Sequence, residues 1–251
     1  MGVFRGVQEH GLACRLGVRC SRPQISGRVS CGRVKKLLYF ERSRASMVRG
    51  LRESFPGAGP SVLAAMEEVP RHLFVERGLW HRAYTAHSLP IGCGQTLSQP
   101  MTVLRCLSAL ELRPGFSFLE IGSGSGYLAA VASRVCSRVT GIERQLSLVA
   151  ASRRVLDGLG YHNVTILYGD GTDSSPRGAP FDAVLVSAGA PEVPSGLAAH
   201  LSEGGLMAVP VGDRERQRLR VLRKRASGLQ ETGEPFDCSF VPLVGRQGWN
   251  G

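Results

Sequence analysis

Long apolar runs are missing from this sequence. Nothing in its 251 residues approaches the roughly 20 consecutive apolar positions that a helical membrane span requires. With 43% apolar residues in a chain of this length, the expectation is a soluble globular protein with a sizeable core. Paired cysteines are missing too. The chain has seven, an odd number, and no two stand at C-x-x-C spacing, so neither a secreted disulfide scaffold nor a structural zinc site is expected. The N-terminus lacks the apolar core of a signal peptide, and Gly6 stands where a myristoylation pattern has Ser or Thr.

Acids are scarce in the first 46 residues, where ten Lys/Arg face only Glu9 and Glu41. That segment carries eight of the eleven net positive charges, so the high isoelectric point describes an extension and not the body of the protein. Two domains follow from this: a basic segment 1–46 and a folded domain 47–251. The segment is expected to be disordered or to lie upstream of the true start; its composition also suits a nucleic-acid arm or an organelle transit peptide. Met47 also stands as a candidate start, which would leave the segment outside the folded protein.

Beyond the extension, "SVLAAMEEVPRHLFV" places Val62, Met66 and Val69 at helical spacing, with Ser61 as N-cap and Pro70 as breaker. His81 to Pro100 reads as loop. Within it, "LPIGCGQTLSQP" is dense in glycine and proline and rich in hydroxyls and amides, which predicts a fixed backbone path. "MTVLRCLSALEL" is helical up to Pro114-Gly115. From Phe116 the pattern changes to short apolar runs alternating with helical stretches: "FSFLEIG", "RVTGIE", "VTILYGD", "FDAVLVSAG" and "LMAVPVG". Strands this apolar, spaced by helices, predict an α/β fold with a doubly wound, mostly parallel sheet covered on both faces. "RLRVLRKR" alternates Leu219 and Val221 with Arg218 and Arg220, the pattern of an edge strand with a solvated basic face.

"EIGSGSGY" sets Gly122, Gly124 and Gly126 directly after a strand and at a helix start. Such a loop serves nicotinamide, flavin and S-adenosylmethionine proteins alike. Its G-x-G-x-G spacing departs from the G-x-G-x-x-G fingerprint of a pyrophosphate cradle. Three acids narrow the choice. Glu120 precedes the loop, where a carboxylate opposes two phosphates but favours a sulfonium and an ammonium. Glu143, followed by Arg144, ends the second strand, where it can accept ribose hydroxyls. Asp170, followed by Gly171, ends the third, facing an adenine amino group. A cationic ligand with a diol and an adenine is S-adenosylmethionine. The same acids also suit the capping of loops and helix N-termini.

"SLPIGCGQTLSQP", "FLEIGSGSGY", "GDG", "PFDAVLVSAGAPEVP", "LMAVPVG" and "FVPLV", in this order, resemble the protein-L-isoaspartate O-methyltransferases. "VLAAMEEVPRHLFV" resembles the N-terminal helix of their bacterial members. The resemblance covers residues 47 to 246. It implies an S-adenosylmethionine-dependent methyltransferase fold of Rossmann-like type. It also implies methyl transfer to the free carboxylate of L-isoaspartyl residues, and less well of D-aspartyl residues, in damaged proteins. Ser98 would act at the active site, and Thr96 and Leu97 would wall off the cofactor. With Glu120, Gly122, Ser123, Gly124, Gly126, Glu143, Arg144, Asp170 and Gly171 these make up the expected site. A monomer in the cytoplasm, with isomerised proteins as partners and no metal or membrane, completes the implication.

A carboxylate acceptor is ionised at neutral pH and needs no general base, so a loop of hydroxyls and amides suits the task of orienting it. Ser98 also suits a helix cap before Gln99-Pro100. His72 is expected to be structural and Cys93 a small packed side chain. Two other readings stay open: a methyltransferase for one particular peptide aspartate or for a small-molecule carboxylate, and a nucleic-acid-binding protein that uses the basic extension.

Overall fold

The apolar runs become a parallel sheet whose central strands are covered on both faces. A computed structural model describes residues 31–173 and 176–250, and the basic segment up to residue 30, with Cys14 and Cys20, lies outside the described residues. The helices are α1 (Cys31–Ser54), α2 (Pro60–Glu68), α3 (Pro100–Ala109), α4 (Tyr127–Ser133) and α5 (Leu146–Gly158). The strands are β1 (Leu89–Gly92), β2 (Gln95–Leu97), β3 (Ser117–Ile121), β4 (Arg138–Glu143), β5 (Val164–Tyr168), β6 (Phe181–Val186), β7 (Leu201–Gly212), β8 (Gln217–Arg225), β9 (Gly228–Glu231) and β10 (Phe236–Cys238).

The main sheet runs β10-β8-β7-β6-β3-β4-β5, with β9 added to β8. Strands β7, β6, β3, β4 and β5 are parallel, and β8 pairs with β7 antiparallel. Every residue of β3 is buried. Phe118, Ala183 and Leu185 belong to one apolar cluster, together with residues of α2, α3 and α4. Their neighbours in sequence, Leu119, Val184 and Val186, belong to a second cluster with Leu197 and Met207. That alternation follows from the two-residue period of a strand, and it gives the sheet its two dry faces.

The central strand β3 has β4 on one side and β6 on the other. Chain order therefore reverses at β3/β6, and the connections leaving the carboxyl ends of these strands run to opposite sides and leave a crevice between them. Everything at the site hangs on that crevice.

Four details differ from the sequence expectation. Helix α2 starts two residues early, with Gly59 as N-cap and Pro60 in its first turn, because proline's fixed φ suits that position and displaces Ser61 from the cap. The presumed loop His81–Pro100 contains a hairpin: β1 pairs with β2, Leu89 opposite Leu97 and Gly92 opposite Gln95. Its two turn residues, Cys93 (φ 53°) and Gly94 (φ 69°), both have positive φ, the pattern of a tight twisted hairpin turn. Strand β8 is no edge, since β9 and β10 pair with it opposite β7. Its arginines are paired as well: Arg220 donates to both carboxylate oxygens of Glu231 at 2.9 Å, and Arg218 lies 3.6 Å from Asp237.

The fourth concerns the boundary at residue 46. Helix α1 runs through it without interruption, and the contacts divide the chain at Leu37/Leu38 instead. Within the unit that begins at Leu38, Phe40 is buried and stacks on His72 with ring centroids 4.1 Å apart and planes 11° apart. His72 Nδ1 also meets the Tyr84 hydroxyl at 2.8 Å, the structural role expected for it.

Candidate functional site

The glycine loop leaves β3 and is fixed before any side chain acts: Gly122 N and Ser123 N both donate to Ile142 O, at 2.8 and 3.1 Å. Two clefts open around it at the carboxyl ends of the strands. The larger is lined by Gly122, Gly124, Glu143, Arg144, Asp170 and Gly171, among others, and the smaller by Ser98, Leu97, Glu120, Ser123 and Leu128. Thr96, Gly122, Gly124 and Ser187 belong to both, so the clefts are two ends of one depression.

The hairpin roofs this depression. A Cβ at Gly124 would stand 3.0 Å from the tip of Ile91, Cδ1, a tight contact, and the left-handed backbone there, φ +51°, favours glycine. Gly126 has a different place from its two companions. It lines neither cleft. It caps α4, and a Cβ there would meet Leu156 and Ser152 of α5 at 3.1 and 3.2 Å. Its missing side chain lets two helices approach each other.

The acids at the strand ends differ in their partners. Glu120, 2% exposed, accepts a hydrogen bond from Ser187 Oγ at 2.8 Å through one oxygen, while its other oxygen is buried with no partner. Burial pushes its carboxyl up to about 8. The Ser187 hydroxyl pulls it down, the charge of Glu143 pushes it further up, and the backbone N–H of Ala129 lowers it slightly. Ser123 Oγ, in the same cleft, is also buried and unpartnered. Glu120 and Ser123 share this state with Arg44 Nε, Arg71 Nη1 and the Tyr127 hydroxyl, but these two line the cleft, where a ligand's polar groups can meet them.

Glu143 holds the loop. One carboxylate oxygen accepts Gly124 N at 2.9 Å and the other Gln145 N at 2.8 Å, which leaves a lone pair on each for a diol. Asp170 is engaged more fully. Its oxygens accept the N–H and hydroxyl of Thr172 (2.9 and 2.7 Å) and Arg246 N (2.9 Å). Burial opposes ionisation, but these donors, with Arg144 nearby, hold the Asp170 carboxyl below the ordinary aspartate range.

Ser98 borders the smaller cleft with Glu120, and its carbonyl accepts Arg71 Nη2 at 2.7 Å. It does not cap α3, whose N-cap is Gln99. Among the described residues, no group of three His, Cys, Asp or Glu side chains is placed to hold a metal ion.

With this geometry in view, comparison with known proteins is informative. Residues 42–248 match the model of the family described as protein-L-isoaspartate(D-aspartate) O-methyltransferase. The chain belongs to that family. It is 46% identical over 218 residues to the protein-L-isoaspartate O-methyltransferase of Trichlorobacter lovleyi, covering 85% of this chain and 98% of that one. Protein-L-isoaspartate O-methyltransferase 1 of Syntrophobacter fumaroxidans is 43% identical over 215 residues, covering 86% and 100%. A solved protein-L-isoaspartate O-methyltransferase structure superposes with a TM-score of 0.74 at 28% identity, covering 82% of this chain and 67% of that one.

The site of this isoaspartate methyltransferase family member includes residues that the sequence reading left aside. Ser187 partners Glu120 from the end of β6. Val241 to Val244, the "FVPLV" element, line the larger cleft from a segment tied down by Leu243 N to Gly189 O (2.8 Å) and Trp249 Nε1 to Gly189 O (2.9 Å). Arg71 has no counterpart in any catalytic pattern. Its only sequence signal is its place in "VPRHLFV", after a helix-breaking proline.

Proposed function

We propose that the two clefts hold S-adenosylmethionine and that the protein methylates the free carboxylate of L-isoaspartyl residues in damaged proteins, D-aspartyl residues less well. The observation that carries this is the buried, half-unpartnered Glu120 carboxylate sharing the smaller cleft with Ser98. A carboxylate with an open oxygen suits an ammonium, and Ser123 Oγ adds a second open partner. Glu143 and Asp170 in the larger cleft suit the ribose and adenine, with Gly122, Gly124, Arg144, Gly171 and Thr96 as walls.

When bound, S-adenosylmethionine supplies an electrophilic methyl group on a sulfonium. The chain's own part is positioning. The acceptor carboxylate arrives ionised, so no side chain needs to remove a proton. Ser98 orients it with a hydroxyl and adds no negative charge, where an acidic residue would repel it. Leu97, 5% exposed, and the hairpin above Gly124 keep water from the smaller cleft. Cys93, Cys106, Cys136 and Cys238 are free thiols, which suits a reducing compartment, and we place the enzyme in the cytoplasm as a monomer.

Labelled S-adenosylmethionine offered with two matched peptides, one with L-isoaspartate and one with L-aspartate, tests the reading. Base-labile label on the isoaspartyl peptide alone is the expected result. Label on the aspartyl peptide, or on a small carboxylic acid only, would replace the substrate while keeping the cofactor.

A further inference from the structure

Among the described residues, Arg71 leads the largest side chains that are fully buried, with 0% exposure. It stands in a 3-10 turn, Arg71–Phe74, directly after Pro70. Its guanidinium joins three parts of the chain. Nε donates to Ala83 O at 2.8 Å and Nη2 to Ser98 O at 2.7 Å. Its Cζ lies 4.8 Å from the ring centroid of Tyr127, the first residue of α4 after the glycine loop.

The charge has no opposite number. None of the ion pairs among the described residues involves Arg71; its Nη1 has no close hydrogen-bond partner, and the neutral Tyr127 hydroxyl, itself buried and without a close partner, is the polar group set against the guanidinium. Burial disfavours the charged form and the Tyr127 phenol opposes that, but a guanidinium stays protonated in proteins. Burying a lone cation is costly, several kcal/mol after relaxation. A neutral amide could tie down two carbonyls without that penalty. The cation therefore calls for an anion that the folded chain does not itself provide, and the substrate proposed above is one.

We propose that Arg71 is a positioning residue for the acceptor: it fixes the Ser98 peptide and supplies the positive potential that draws an ionised carboxylate into the smaller cleft. This rests on the isoaspartyl reading. The contact with the loop runs through the Ser98 carbonyl, so Arg71 acts through the loop rather than on the reacting atoms. A cation on that carbonyl also polarises the peptide, and the Gln99 N–H, directed oppositely in a trans peptide, becomes a stronger donor.

The test uses an isoaspartyl peptide and its analogue with the free carboxylate replaced by carboxamide. Binding of each is measured in the presence of S-adenosylhomocysteine, together with methylation kinetics, for the wild type, Arg71→Lys and Arg71→Gln. The wild type should prefer the carboxylate. Arg71→Gln should lose about tenfold or more of that preference and about 10- to 100-fold in kcat/KM, with S-adenosylhomocysteine affinity within about twofold. Arg71→Lys keeps the charge and should keep most of the preference while kcat falls. A preference undiminished in Arg71→Gln, or lost equally in Arg71→Lys, overturns the proposal. Should Arg71→Gln not fold, the Arg71→Lys preference alone decides. A wild type that methylates neither peptide overturns the isoaspartyl reading itself.

Discussion

Glu120 and Ser187 follow one another across the crevice of the sheet, from the ends of adjacent parallel strands, and are joined by a hydroxyl-to-carboxylate hydrogen bond of 2.8 Å. That bond satisfies one oxygen, and the other, without a close partner, is the one proposed to meet the ligand's ammonium. Because the free protein holds the Glu120 carboxyl up at about 8 against an ordinary 4.5, proton uptake and ligand binding are coupled.

The sign is as follows. Between about pH 5 and 8 the folded, ligand-free protein keeps a proton on Glu120 that the unfolded chain has released. Its stability therefore falls as pH rises through that window. A bound ammonium favours the carboxylate, so binding of S-adenosylhomocysteine should release protons near pH 7 and tighten as pH rises toward 8. Calorimetry in buffers of different ionisation enthalpy measures the release. Identical heats in all buffers would remove Glu120 from the site, and Glu120→Gln should abolish the pH dependence.

Glu143→Ala should weaken binding of the same ligand about 10- to 100-fold, the range for losing hydrogen bonds to a charged group. Two losses combine here, the proposed ribose contact and the anchor of Gly124 N. An unaltered dissociation constant would refute the assignment.

For Ser98→Ala the contrast is reversed. Arg71 binds the Ser98 carbonyl, so the loop keeps its tether when the hydroxyl is removed. Methylation should fall about tenfold or more while S-adenosylhomocysteine affinity stays within about twofold. Full turnover in the alanine variant would leave Ser98 as a wall residue only.

Much of this site was readable in the sequence because its parts are local. Glu120, the glycine loop and Glu143 each sit at a strand end, and near-continuous apolar strands announce themselves. What escaped depends on distant pairing. Ser187 matters only because β6 returns beside β3, and Arg71 reaches Ser98 across 27 residues to a backbone carbonyl, which carries no side-chain signature. The hairpin was hidden by its own turn residues, since three- and four-residue strands beside Gly92, Cys93 and Gly94 resemble loop in one dimension. Gly126 was grouped with the ligand-facing glycines because spacing cannot tell a cleft from a helix contact.

Phe40 tests the other misjudged region. Placed by sequence in a detachable basic segment, it is 6% exposed and stacked on His72. Phe40→Ala should cost about 3 kcal/mol, as for other buried aromatics, while Arg42→Ala, exposed on the same helix, should change stability by about 0.5 kcal/mol or less. Equal melting temperatures for the two variants would show that α1 contributes nothing through Phe40.

The segment from Val241 to Trp249 closes the larger cleft after every strand of the sheet has already passed in chain order. A ribosome can thus deliver a complete sheet, glycine loop and all three acids before the wall that Arg246 and Gln247 fasten to Asp170 and Thr172 exists. A nonsense codon or a protease cut just before Val241 would keep every strand in the sequence but remove this wall of the larger cleft. Such a product would lose Leu243 from the second apolar cluster together with that wall.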